Sequence, residues 1–249
     1  LPDGSDKAPR TKSGYANKIK QFGNWLELHD HIRKNPFGKL QQKFKYKIDR
    51  PKLLISNDEL IRLFSVAVTD KKCSKLIPYL ALYFFSTLRP WEIAAPEGYL
   101  KRNLQWNKLL FSSPWKQIPD SIHVEVTEFD NIKNGRAKIQ KRMSKSKSRQ
   151  GLVFPSGVEW LKYYVQHFGE PEKVFCSVKG LARLKKLSNV TWAKEQADWG
   201  RHTIASCSCK HYVFDGVIDF LCRRFGHDYS TQQEYYERPV TEDRASQYL

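Results

Sequence analysis

The chain has 249 residues, 40% hydrophobic and 13% aromatic, enough to bury a full core, so the sequence predicts one sizeable folded domain with at most a smaller appendage. A formal net charge of +17 points to a polyanionic partner, because neutralising phosphates releases counterions and steers association; on charge alone DNA, RNA and anionic membrane stay open. The pattern argues against a membrane span: the most apolar stretch, residues 76–88, is short and holds Pro78, Ser86 and Thr87, which reads as a buried helix.

Residues 1–12 are polar, basic and proline-containing, as in a flexible lead or a cut inside a longer protein. From Ser13 the apolar positions Tyr15, Ile19, Phe22, Trp25, Leu26 and Leu28 recur at helical steps, predicting an amphipathic helix that ends before Asn35-Pro36. A basic stretch follows, with Lys39, Lys43, Lys45, Lys47, Arg50 and Lys52, and reads as a linker suited to lie along nucleic acid. Ser56 and Glu59 form a capping-box pattern ahead of Leu60, Leu63 and Phe64, opening the main domain. The apolar helix that follows leads into Ser86-Thr87-Leu88-Arg89-Pro90-Trp91-Glu92-Ile93, which sets an arginine just beyond a buried element.

Between residues 122 and 154 the period changes. Val124 and Val126 alternate with polar residues, Asn134-Gly135 is a hairpin turn signal, and Leu152-Val153-Phe154 is a short apolar run before Pro155; the prediction is a small antiparallel sheet. Helical periodicity returns at Val158, Leu161, Tyr164, Val165 and Phe168, less clearly over 174–187, and again from Thr203 through Cys222. The predicted fold class is mostly α with a small antiparallel β-sheet. The tryptophans read as core or rim residues, since no strand-rich nucleic-acid module is visible.

Five cysteines, Cys73, Cys176, Cys207, Cys209 and Cys222, are irregularly spaced, and no signal peptide opens this chain, which predicts a reducing, cytoplasmic setting. Cys207, Cys209 and His211 lack a second ligand pair at zinc spacing, so no metal site is predicted.

Five residues in a fixed order carry the chemistry. Arg89 in its box, a hairpin lysine, Arg201 in Arg201-His202-Thr203-Ile204-Ala205-Ser206, His227 in Phe225-Gly226-His227, and Tyr236 resemble the catalytic series of the tyrosine recombinases, the phage integrase-like family, over roughly residues 35–249. Tyr236 lies nine residues beyond His227, as is common in that family; Tyr235 and Tyr229 are its rivals. The family's lysine sits on a hairpin about eight residues before a proline, which selects Lys147 before Pro155, with Lys145 the competing assignment. Thr87 stands where the family usually has glycine, and Asp198 where it prefers histidine, three before Arg201.

The resemblance implies the tyrosine recombinase catalytic-domain fold over residues 53–249, a basic linker at 39–52, and the remnant of a helical core-binding domain at 1–38. It also implies roles. Arg89 and Arg201 bind nonbridging phosphate oxygens, His227 adds a hydrogen bond, Lys147 protonates the departing 5′ oxygen, and Tyr236 attacks phosphorus to give a 3′-phosphotyrosyl intermediate. Asp198 is the departure: a carboxylate about 4 Å from a phosphodiester is repelled by about 4 kcal/mol at an effective dielectric near 20 unless a cation neutralises it. It reads as tuning the site, by orienting Arg201.

Lys141, Arg142, Lys145, Arg149 and His202 are predicted to contact DNA, the basic ones as a phosphate-tracking patch. The scheme requires no metal or cofactor. The partner is double-stranded DNA, held by a dimer to tetramer whose tail, residues 241–248, resembles the family's exchange helix docking on a neighbouring protomer. Two alternatives stand beside the recombinase: a catalytically impaired, recombinase-derived DNA-binding protein, and a type IB topoisomerase-like enzyme that relaxes DNA without exchanging partners.

Overall fold

The chain divides into two units, Leu1–Pro51 and Lys52–Leu249. The computed structural model describes residues 9–43, 54–94, 103–111, 115–126, 149–191, 199–233 and 239–249. In the first unit helix α1 (Pro9–Leu28) stops well short of Asn35. Asp30 takes the left-handed conformation (φ 57°), and the amides of Asp30 and His31 return to the carbonyls of Glu27 and Leu26, which is a Schellman close. Asn35 then folds back on the helix: its Nδ2 donates to Lys20 O (3.0 Å) and Asn24 Oδ1 (2.6 Å), and its Oδ1 accepts from Phe37 N (2.8 Å). The unit is therefore tied by an amide on the Ala16 and Gly23 face, while the apolar stripe that betrayed the helix, Tyr15, Ile19, Phe22, Trp25 and Leu28, is exposed. A short helix α2 (Leu40–Lys43) follows.

The second unit opens as its sequence dictates. Ser56 Oγ accepts from Glu59 N (3.2 Å) and Glu59 Oε2 accepts from Ser56 N (2.9 Å), so both halves of the capping box form at the start of α3 (Asn57–Thr69). Helix α4 (Ile77–Phe85) follows with all nine of its residues buried, as an apolar-all-round helix must be. It runs through the centre of the core, packed against α6 (Pro155–Phe168) and α8 (Trp199–His211). The short helix α5 (Pro90–Ile93) lies just beyond it.

A three-stranded antiparallel sheet, β1 (Leu109–Leu110), β2 (Ile122–Val126) and β3 (Arg149–Val153), lies beside this core in the order β1-β2-β3. Val124 pairs with Leu109 on one side and Gly151 on the other, and the alternation read from the sequence buries Ile122, Val124 and Val126. Strand β1 was not anticipated, being only two residues long. Asn134-Gly135 falls outside the described residues. The far edge of β3 is covered by the segment leaving α4: Thr87 N donates to Leu152 O and Phe154 N to Phe85 O.

The periodicity over 203–222 resolves into two helices, not one. Helix α8 ends at His211, and α9 (Val217–Phe225) restarts after Gly216 (φ 73°). Helix α7 (Val178–Ser188) is capped by Ser177 and tied by Arg183 to Asp70 at the end of α3 (2.6 Å), which holds the Asp70 carboxyl down at about 2. The five cysteines form no disulfide. Among the described residues no helix is long and apolar enough to cross a membrane.

After the short α10 (Tyr229–Thr231), the tail helix α11 (Glu242–Tyr248), whose Thr241 cap accepts from Arg244 N, is seated on its own chain. Ala245 and Tyr248 are buried, Tyr248 Oη donates to Phe84 O (2.7 Å), and Arg244 Nη2 donates to Ile55 O (2.9 Å). The segment predicted to dock on a neighbouring protomer is packed here on α8 of its own chain, with Tyr248 reaching Phe84 and Phe85 of α4.

Helix α8 approaches α4 closely because residue 200 has no side chain. A Cβ there would run into the carbonyl and ring of Tyr83. Gly200→Ala is expected to destabilise the second unit by at least about 2 kcal/mol, the scale of overpacking a tight core, read as a lower urea midpoint with unchanged slope.

Candidate active site

The site is assembled around the end of α9. Gly226 adopts φ 70°, its amide donates to Arg223 O (3.2 Å), and the amide of His227 returns to Cys222 O (3.1 Å), again a Schellman close. Glycine is required by that φ, since a side chain there costs roughly 1–2 kcal/mol. The turn leaves the carbonyls of Phe225 and Gly226 unspent at the negative end of a helix, where cations are favoured. Two arginines from distant segments take them. Arg201 Nη2 donates to Phe225 O, and Arg89 Nη2 donates to Gly226 O (3.1 Å).

Arg89 owes its position to the strand edge before it. Thr87 is zipped to Leu152, donating through its amide and accepting from Leu152 N on Oγ1 (2.9 Å), which fixes the chain two residues upstream. Thr87 is not among the positive-φ residues, so this turn has no need of the glycine the family pattern suggests, and the hydroxyl serves as a ladder acceptor. Pro90 then starts α5, and Glu92 accepts from both Arg89 N (2.7 Å) and Arg89 Nη1 (3.0 Å). The carboxylate is fully buried and structural, while the Arg89 side chain keeps 17% exposure.

Arg201 stands in the first turn of α8 and is 1% exposed. Its Nη1 donates to Thr87 O (2.6 Å), its Nη2 lies 3.4 Å from His227 Nδ1, and its guanidinium sits 5.1 Å from the centre of the Phe225 ring. One side chain thus bridges the residue two before Arg89 and the residue two before His227. His227 stacks on Phe225, and its Nε2 is 2.7 Å from Gln232 Oε1. Burial pushes His227 down to about 4, with Arg201 and Arg89 adding in the same direction against the Gln232 hydrogen bond and Asp228. The imidazole is neutral at pH 7.

No family model and no curated protein matches the sequence. Solved structures do. A Tn1549 transposon integrase in complex with transposon right end DNA aligns at TM-score 0.57 and 16% identity, over 97% of this chain and 84% of that one. The same integrase in complex with a circular intermediate DNA aligns at TM-score 0.58 and 16% identity, over 99% and 79%. The chain has the tyrosine recombinase fold.

Of the residues predicted to act in that fold, the structure brings three together, Arg89, Arg201 and His227. Lys141, Arg142, Lys145, Lys147, Asp198, Tyr235 and Tyr236 lie outside the described residues. Arg149 begins β3 opposite Val126. His202 is half-buried on α8; being one position from Arg201, it does not share that residue's face. Tyr229 is half exposed, with its hydroxyl accepting from Gln233 Nε2 (2.7 Å). Sequence reasoning missed Gln232, which is 1% exposed and touches His227. A polar residue in a polar stretch carries no periodic signal, so nothing marked it.

Because His227 binds its proton less readily folded than unfolded, the unfolded chain holds more protons between about pH 6.5 and 4, and stability is present above that window and lost as pH falls through it. Acidification from pH 7 to 4.5 is expected to lower the urea midpoint, and His227→Gln to remove that part of the slope. Asp70 and Asp228, both near 2, titrate below the window; His123, which burial and then Arg224 also push down, adds to the slope in the same direction and is left unchanged by the variant.

Proposed function

We propose that this chain is the catalytic part of a site-specific DNA recombinase that cuts and rejoins strands through a 3′-phosphotyrosyl intermediate. The observation that carries the reading is the convergence of Arg89 and Arg201, from segments far apart in sequence, on one helix end beside His227. Two guanidinium forks in one place suit a phosphodiester, whose nonbridging oxygens accept in the plane that a guanidinium offers. Arg89 is the outer of the two and meets the phosphate from solvent. Arg201 is held behind it and exchanges part of its carbonyl bonding for the more strongly charged phosphate oxygens. Both then stabilise the charge that grows as phosphorus becomes five-coordinate.

In the reaction, Tyr236 gives its hydroxyl proton to solvent water as its oxygen bonds to phosphorus, and the bond from phosphorus to O5′ breaks. Lys147, or Lys145 in its place, gives a proton to the departing O5′. A 5′ hydroxyl from another strand reverses the step, so bond energy is conserved. Asp198 orients Arg201 from three residues upstream. Lys141, Arg142, Lys145, Arg149 and His202 contact the DNA backbone, and the +17 charge steers the encounter. Exchange needs two to four protomers on DNA. The tail serves that assembly by leaving its seat on α4 and α8 for the equivalent groove of a neighbour.

The test uses a library of duplexes of randomised sequence, each nicked just beyond the scissile position so that cleavage traps the covalent intermediate. The expected result is a denaturant-stable protein–DNA adduct that Tyr236→Phe abolishes and Arg89→Lys slows by about 100-fold or more. Tight DNA binding with no adduct at any pH sinks the recombinase reading and leaves a DNA-binding derivative. An adduct that survives Tyr236→Phe but not Tyr235→Phe moves the nucleophile by one residue. Relaxation of supercoiled DNA without joining of two labelled duplexes points to a topoisomerase-like enzyme.

A further inference from the structure

A neutral imidazole carries one proton between two nitrogens, and the neighbours of His227 decide which nitrogen has it. Gln232 follows α10, with its amide donating to Asp228 O (3.0 Å), and its side chain is buried against α8. Its Nε2 faces two acceptors there, Ala205 O (3.5 Å) and Cys209 Sγ (3.2 Å). Turning the amide over would set two carbonyl oxygens against each other, so the end presented to His227 is the oxygen. An amide oxygen only accepts, and the hydrogen must therefore sit on His227 Nε2, 2.7 Å away. Nδ1 keeps its lone pair, facing Arg201 Nη2 at 3.4 Å, a group that only donates.

We propose that Gln232 is a positioning residue: by holding His227 in the neutral Nε2–H form it keeps Nδ1 as an acceptor for Arg201, so that His227 serves the site by fixing a guanidinium and not by passing a proton. The functional half rests on Arg201 being a phosphate-binding group, as proposed above. The charges that face the imidazole agree with this state. Among the described residues, Arg201 approaches from α8 and Arg89 from the start of α5, two cations, against Asp228, whose carboxylate is already taken by Thr231 N and Ser230 Oγ. A proton added to Nδ1 would face Arg201 donor to donor.

The tautomer is measured directly on the full chain labelled with 15N-histidine, the His227 signals being identified by their loss in His227→Gln. The expected result is a ring protonated on Nε2 alone at pH 7 that takes no second proton until well below pH 6. In Gln232→Glu a carboxylate faces the Nε2–H, and the proton affinity of His227 is expected to rise at least tenfold. With a nicked duplex recovered from the library above, single-turnover cleavage by Gln232→Glu is expected to fall about 10- to 100-fold as pH drops through the new titration, and to recover above it. The unsubstituted chain stays flat across that range. A residue that merely fills space would not give a reversible pH dependence. A proton on Nδ1, an ordinary titration near 6.5 in the unsubstituted chain, or a titration unmoved by Gln232→Glu overturns the proposal. The first two readings need no Gln232 variant to fold, and none of the three needs cleavage. A chain that forms no adduct therefore fails the recombinase reading while the proton's position still decides the role of Gln232.

Discussion

The second unit hangs on how one helix ends. A Schellman close at Gly226 presents two carbonyls at the negative pole of α9, and those carbonyls gather Arg201 from α8 and Arg89 from the segment after α4. A buried guanidinium is costly unless its donors are met, so the cap and the arginines define each other's positions. Through Thr87 O the same guanidinium reaches the strand edge, and through His227 it reaches Gln232. Helix end, sheet edge and phosphate-binding candidates form one hydrogen-bonded set in which moving any member displaces the others.

Packing supplies the frame that holds this set still. Helix α4 is buried on every side, with α6 and α8 packed along it and Tyr248 of α11 bonded to the carbonyl of Phe84 near its end. Gly200 allows α8 to lie against Tyr83, which places the next residue, Arg201, at the level of the cap. Glu92 fixes Arg89 from below by accepting from both its backbone and its guanidinium. The result is a pair of guanidinium groups oriented before any ligand arrives, the condition under which electrostatic stabilisation is most effective.

Much of this was legible in the sequence where a residue's type forces its neighbourhood. Ser56 and Glu59 announce a cap, the alternation of Ile122, Val124 and Val126 announces a half-buried strand, and the apolar run of α4 announces a core helix. The arginine and histidine boxes stood out through their resemblance, in order and spacing, to the catalytic series of the tyrosine recombinases. What the sequence hid depends on three-dimensional pairing. The break at Gly216 is masked because apolar residues keep their spacing through it. The exposure of the α1 stripe follows from Asn35 bonding to the opposite face, a contact that no periodicity encodes. Gln232 is important only for the atom it meets, and Thr87, which looked like a lost glycine, is accounted for by Leu152 across a strand edge.

The seat of α11 bears on how the protein is made. Tyr248 and Ala245 complete the same core that Ile55, Leu63 and the residues of α4 begin, and Arg244 bonds the carbonyl of Ile55 near the start of the unit. Contacts of such long sequence separation carry a large loop-closure cost and form late. During synthesis the unit therefore cannot close its core until Tyr248 has left the ribosome, and every earlier intermediate displays an apolar groove shaped for that helix. A core that waits on α11 is exposed for longer, the condition that favours aggregation and domain swapping in general.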